Sequence, residues 1–317
     1  MSIRSVGDWS GSGLAHEAFV FSDEEEVRAR CVPFVQEALD RDEPVVVVAG
    51  DQVRRMLREV FGDRTDEFAV FQAAEVSWLG GAGTLAAYQH AMRPLVEAGR
   101  PWRLVGEPIW VGRPDGAVWS RFEAVANDAF ADYPYYSLCL HDRRRVGQEH
   151  LDAQLRAHPM VWGDAGPVQN PDYLTTQEFL RSVQPSWTPA PASARAFRVA
   201  SPRRALPDLE CQVRGSANVD RADEVLLAVY ELVTNALKAA GAAQVTHWLE
   251  EDWGVWEVSD EGSGLHDASA GYWPPGEDLD TGRGLWLARS LADESTVRTD
   301  GPGTALRLYF RLPAWHR

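Results

Sequence analysis

Tyr230-Glu231-Leu232-Val233-Thr234-Asn235-Ala236-Leu237-Lys238-Ala239-Ala240 reads as the middle of one long amphipathic helix. Val225, Leu226, Val229, Leu232, Val233, Ala236, Leu237 and Ala240 recur at helical spacing and form a single apolar stripe. Glu224, Glu231, Asn235 and Lys238 fall on the other side by the same intervals. An ordinary surface helix would simply turn that side to water. The chain beyond Ala240 argues for more, because it brings three glycine-containing turns in a fixed order.

The helix is expected to be capped by Asp220 or Asp223 and to end near Gly241. Residues 244–249 and 255–259 then read as two antiparallel strands joined by the turn 250–254. The second strand runs into Asp260-Glu261-Gly262-Ser263-Gly264. A carboxylate at a strand end suits acceptance of a hydrogen bond from an adenine amino group, and the glycines let backbone approach base and sugar. Residues 266–281 are acidic, aromatic and proline-containing and read as a lid loop. Gly282-Arg283-Gly284-Leu285-Trp286-Leu287 opens a helix to about Leu291, with free amides for a phosphate and an arginine long enough to reach it. Gly301-Pro302-Gly303-Thr304 leads into a strand over 305–312, where Arg307 and Arg311 share a face expected to point outward. Taken singly, each of these is equally an ordinary turn, helix entry or hairpin.

In this order, ExxxN, DxGxG, GRGL and GxGT resemble the N, G1, G2 and G3 boxes of the GHKL (Bergerat-fold) ATPases, over residues 195–313. The compact lid and the lack of a separate phosphoacceptor domain are most similar to the anti-sigma-factor serine kinases. The resemblance implies an α+β sandwich of helices on a mixed or antiparallel sheet, with ATP and Mg²⁺ as cofactors. It implies that Asn235 holds Mg²⁺, that Asp260 takes the adenine amino group, and that Gly262 and Gly264 flank the base. Gly282, Arg283, Gly284 and Leu285 would form the triphosphate wall, with Thr304 in the adenine-side network. Glu231, one turn before Asn235, would orient or deprotonate an attacking hydroxyl as general base. Leu237-Lys238-Ala239 departs from the basic residue and histidine common in the family: Lys238 keeps a positive charge beside the phosphates and Ala239 drops a polar side chain. Residues 197–219 also match the family's partner-contacting opening poorly.

The first half alternates differently. Strands are expected at 18–21, 45–48, 68–71, 102–105 and 135–140, separated by helices ending near Asp40, Phe61, Ala98 and Ala131, with Ser22 as the first N-cap. Such alternation implies parallel βα units in a doubly wound sheet. Ligands of such sheets sit beyond the carboxyl ends of the strands, which singles out Gly50, Asp51, Glu107, Trp110 and His141. Neither 49–53 nor Gly80-Gly81-Ala82-Gly83 carries the GxxxxGK[ST] phosphate cradle. The order Phe19-Val20-Phe21, then 45–50, then Val105-Gly106-Glu107-Pro108-Ile109-Trp110, then 135–142 resembles a MEDS-type sensory domain over about 14–180. That resemblance implies a RecA-like α/β fold without its ATP loop, and a sensor of small organic molecules or cell state, with Glu107, Trp110 and His141 as its candidate site.

Gln184-Pro185-Ser186-Trp187-Thr188-Pro189-Ala190-Pro191-Ala192-Ser193-Ala194 has the composition of an exposed connector. The expected domains are therefore 1–183, a linker at 184–194, and 195–317. With 31 basic against 47 acidic residues the net charge is −16, which argues against nucleic acid and anionic membranes as partners. Cys31, Cys139 and Cys211 show no metal-ligand spacing and read as buried or spare thiols in a reducing cytosol. No signal peptide is evident, so a cytoplasmic protein is expected.

These observations imply a cytoplasmic, signal-responsive regulator. Its second domain would bind ATP and phosphorylate a partner on serine, with a sigma or anti-anti-sigma factor as that partner. One alternative is a non-catalytic module that uses ATP to sequester such a factor. Another is a histidine kinase, for which His150 and His158 stand on one short helical stretch with no second helix to pair with it. A homodimer through the long helix or a sheet edge stays open.

Overall fold

The computed structural model describes residues 9–70, 81–107, 116–183, 187–216, 219–273, 283–298 and 303–312. Gly80, Trp110, Gly282, Gly301, Pro302 and the 274–281 part of the lid loop lie outside them. Contacts divide the chain into two compact units, one of residues 1–77 with 87–179 and one of 78–86 with 180–317.

Lying wholly or mostly in the first unit are β1 (Ala15–Phe21), α1 (Glu24–Asp40), β2 (Val45–Val48), α2 (Asp51–Phe61), β3 (Ala69–Val70), α3 (Gly81–Glu97), β4 (Trp102–Gly106) and α4 (Gly116–Ala129). These are followed by β5 (Tyr135–Asp142), α5 (Gln148–Ala157), β6 (Met160–Gly163) and β7 (Gly166–Gln169), with α6 (Thr176–Ser182) after them. Among the described residues seven strands form one sheet in the order β3-β2-β4-β5-β1-β6-β7, parallel except for the β6–β7 hairpin. The Val45–Val48 run is buried throughout, as a parallel strand covered on both faces requires. Asp23, not Ser22, caps α1: its carboxylate accepts the Glu26 N–H at 2.9 Å, while Glu26 reaches back to the Ser22 N–H at 2.6 Å.

The second unit has β8 (Arg195–Val199), α7 (Pro202–Arg214), α8 (Ala222–Ala240), β9 (Ala243–Glu250), β10 (Trp253–Asp260), α9 (Arg283–Leu291), β11 (Glu294–Arg298) and β12 (Thr304–Arg311). The five strands among its described residues are antiparallel in the order β11-β12-β10-β9-β8. Leu209, Val225, Val229, Leu232, Val233 and Ala288 of the three helices pack on Val245, Trp256, Val258, Leu306, Leu308 and Phe310 of the sheet. Each buried valine or leucine among them contributes about 1.5–3 kcal/mol. No aspartate caps α8: its N-cap is Arg221, without a side-chain cap bond, and Asp223 stands in the first turn. Its end is as expected, with Gly241 at φ +73° and its N–H bonded to the Leu237 carbonyl at 2.9 Å.

The sheet's other face corrects two expectations. Arg307 is buried, only 4% exposed, and donates to Glu257 at 2.8 Å and to the Thr188 carbonyl at 2.6 Å. Its guanidinium lies 4.0 Å from the Trp187 ring centre and 5.0 Å from that of Trp248. Alternation does put Arg307 on the face away from the helices, but Trp187 folds over it, so that part of the proline-rich segment is packed while Pro189 and Pro191 are exposed. Among the described residues no helix is long and apolar enough to cross a membrane.

Candidate functional site

The apolar stripe of α8 is buried at Val225, Val229, Leu232, Val233 and Ala236. Glu231 is left half-buried beside it, and Asn235 and Lys238 are exposed. A side-chain carbon on Gly284, in the first turn of α9, would run into the Glu231 carboxylate and stand 3.6 Å from Asn235 Nδ2. Glycine at 284 is thus what allows α9 to begin against these two side chains. The first turn of a helix is also where a carboxylate is electrostatically favoured. Gly271, at φ +79°, makes a similar approach to Leu285, whose backbone carbon would lie 2.9 Å from an added carbon. Arg283 is exposed and Leu285 half-buried at the same turn.

The second cluster forms where β10 ends. The Asp260 carboxylate accepts the Gly262 N–H at 2.8 Å, closing an Asx turn. A carbon on Gly262 would lie 3.1 Å from Ala239 Cβ, so this turn rests on the end of α8. That contact gives a physical reason for the small residue at 239. Gly264 follows at φ +86°. Thr304 stands opposite Asp260 in the β10–β12 ladder, and Gly303, at φ +81°, places its backbone on the Asp260 carbonyl. Glu231, Asn235 and Ala239 follow one another at four-residue steps on one face of α8, which thereby carries both clusters. Ala239 and Gly303 join the expected residues; the signals for them are a small residue where a larger one is usual and a glycine forced to positive φ.

In the first unit the expected residues come apart. His141 lies within β5, which continues to Asp142 because it pairs with β1 through Phe21. Its ring is fully buried, and burial, with the nearby His16, pushes its pKa down to about 3. Glu107, at the end of β4, accepts the Gly50 N–H at 2.8 Å and lies 3.5 Å from Arg145, ties that hold the β2–α2 connection. His150 and His158 do not sit on a helical hairpin: α5 passes into the β6–β7 hairpin, His150 is exposed, and His158 is fully buried.

Residues 15–159 match the family model described as MEDS, the methanogen/methylotroph, DcmR sensory domain. Residues 192–310 match that of the histidine kinase-like ATPase domain. No curated protein matches the chain. Among solved structures, the RsbU and RsbW domains of Rv1364c from Mycobacterium tuberculosis align at 19% identity with a TM-score of 0.27. The alignment covers 39% of this chain and 33% of that one, so the chain spans about a third of that protein's solved length.

Proposed function

Because the chain carries an N-terminal MEDS domain and a C-terminal histidine kinase-like ATPase domain, we propose that it is a signal-responsive regulator that binds ATP with Mg²⁺ and phosphorylates a partner protein on serine. The observation that carries this reading is the convergence of Glu231 and Asn235 on Gly284, beside an Asx turn whose carboxylate is Asp260. The donor set fits the cofactor. Asn235 offers an amide oxygen, a ligand type Mg²⁺ accepts, and a helix start with Arg283 beside it suits phosphates. Asp260 would take the adenine amino group, with Gly262 and Gly264 beside the base and Thr304 next to it. Gly284, Leu285 and Gly282 would line the phosphates, and Lys238 would add a positive charge.

Bound there, ATP with Mg²⁺ supplies a transferable phosphoryl group. Glu231 then accepts the proton of the attacking serine hydroxyl, a general-base role. The partner is a sigma factor or anti-anti-sigma factor, and a homodimer is compatible with this arrangement. We place the domains at 1–183 and 195–317, with 184–194 between them, and read the first as a RecA-like sensor of a small molecule in the cytoplasm.

A second reading is favoured by one contact. The Glu231 carboxylate abuts the first turn of α9, which suits an anchor in a non-catalytic, ATP-dependent sequestering module as well as a base. Two measurements separate the readings. Calorimetry with MgATP on the full chain should show binding that Asn235→Ala and Asp260→Ala each weaken by at least about tenfold, the loss of one charge-assisted contact. Absence of binding by the wild type would end both readings. Glu231→Gln should keep binding while transfer of labelled phosphate to the partner falls about a hundredfold. Unchanged regulation by Glu231→Gln would instead select the sequestering module.

A further inference from the structure

The core of the first unit holds a group of side chains that the nucleotide reading does not use. We infer that His16, Glu123, Cys139 and His158 form a binding site for a transition-metal ion of the zinc class. All are buried, and one ligand atom from each lies within 4.8 Å of the others. The four come from β1, α4, β5 and the residue after α5, so the fold rather than a local motif assembles them.

Hydrogen bonds around the two imidazoles orient them as ligands. His158 Nδ1 lies 2.7 Å from the Gln154 carbonyl, which can only accept, so Nδ1 carries the hydrogen and Nε2 has a bare lone pair. That Nε2 is buried with no hydrogen-bond partner among the described residues. On the other ring, His16 Nδ1 lies 2.8 Å from Asn127 Oδ1. The Asn127 amide is fixed in that sense because its nitrogen donates to the Ala157 carbonyl at 2.7 Å. His16 Nε2 therefore also presents a lone pair, 3.3 Å from Cys139 Sγ and 3.5 Å from Glu123 Oε2. An imidazole whose far nitrogen is held by a polar group is the usual arrangement at metal centres.

The separations suit such an ion. Tetrahedral bonds of about 2.3 Å to sulfur and about 2.0–2.2 Å to nitrogen and oxygen put ligand atoms about 3.4–3.6 Å apart, close to both His16 distances. Thiolate and carboxylate together balance a divalent cation, which a buried site requires. The Ser137 hydroxyl, 3.3 Å from Cys139 Sγ, can donate to the thiolate. A cavity of about 40 Å³ lined by His16, Glu123 and Cys139 with Tyr88, Phe122 and Tyr135 adjoins them, leaving room for one small ligand on the metal.

A proton is the competing occupant. Burial works against a charge on His16, but Cys139 and Glu123 outweigh it and push its pKa up to about 10. A proton on His16, however, leaves His158 Nε2 bare, whereas one metal ion satisfies both rings.

The inference does not depend on the ATP reading. Its test is Co²⁺ added to the chelator-stripped full chain. One Co²⁺ per chain is expected, with thiolate-to-metal absorption in the near ultraviolet and visible bands of tetrahedral strength, all displaced by Zn²⁺. Cys139→Ser should lose the thiolate absorption, whereas Cys211→Ser, at an exposed position, should leave it unchanged. His158→Gln, should Cys139→Ser fail to fold by circular dichroism, should weaken binding by at least about tenfold. No stoichiometric uptake by the folded wild type, a signal that follows Cys211, or binding unaffected by His158→Gln would each overturn the site.

Discussion

Gly303→Ala is expected to destabilise the β10–β12 region by about 2–5 kcal/mol and to abolish nucleotide binding. The φ of +81° alone would cost a side chain about 1–2 kcal/mol. The new methyl would also fall inside the van der Waals shell of the Asp260 carbonyl, and relieving such an overlap in packed surroundings adds about 1–3 kcal/mol. Relief means moving Asp260, the residue proposed to meet the base, so binding falls with stability. Gly241→Ala is the control: its φ is +73°, but nothing among the described residues lies within 4 Å of the added carbon. It should show the backbone cost and keep MgATP affinity. Hydrogen exchange at the β10 and β12 amides, read beside calorimetry, distinguishes them. Equal behaviour of the two variants would contradict the close approach.

Arg307→Ala should lower stability by about 3 kcal/mol, the range for removing one partner of a buried ion pair. It leaves Glu257, 16% exposed, without its guanidinium and takes away the surface on which Trp187 rests. Cleavage of the 188–194 segment by added protease should accelerate in parallel. Arg307→Lys keeps the charge without the planar fork or the stacking and should fall between. A double-mutant cycle with Trp187→Ala should give a coupling of at least about 0.5 kcal/mol. A urea midpoint shifted no more than by Arg203→Ala, at an exposed position, would refute this account.

The parts of the second unit that are legible in sequence are those written in short-range rules. The stripe of α8, Gly241 at its end, and Gly264 and Gly303 at positive φ in two of the turns each report a local backbone requirement, and those requirements survive packing, whereas Gly262 and Gly284 answer to the close approach of Ala239 and Glu231. Arg307 escapes such rules because its partner Trp187 is far away in sequence: strand alternation says which face a side chain takes, not what covers that face. The strand end expected at Leu140 moves two residues to Asp142 and takes in His141, since pairing with β1 extends β5 beyond its apolar run. The histidine, glutamate and cysteine group leaves no motif, for its members meet only through the β1–β5 ladder and the packing of α4 and α5 on the sheet. Cys139 accordingly reads as a spare thiol in sequence alone.

The placement of Glu231, Asn235 and Ala239 along one face of α8 has a consequence for how this chain can vary in length. A helix advances about 1.5 Å and turns about 100° per residue. One codon gained or lost between Glu231 and Ala239 would therefore swing one cluster away from the other. Codons added at the exposed Glu250-Glu251 bend would only lengthen a hairpin. The interval from 231 to 239 behaves as a fixed-length word in the gene, set among spacings that are free to drift.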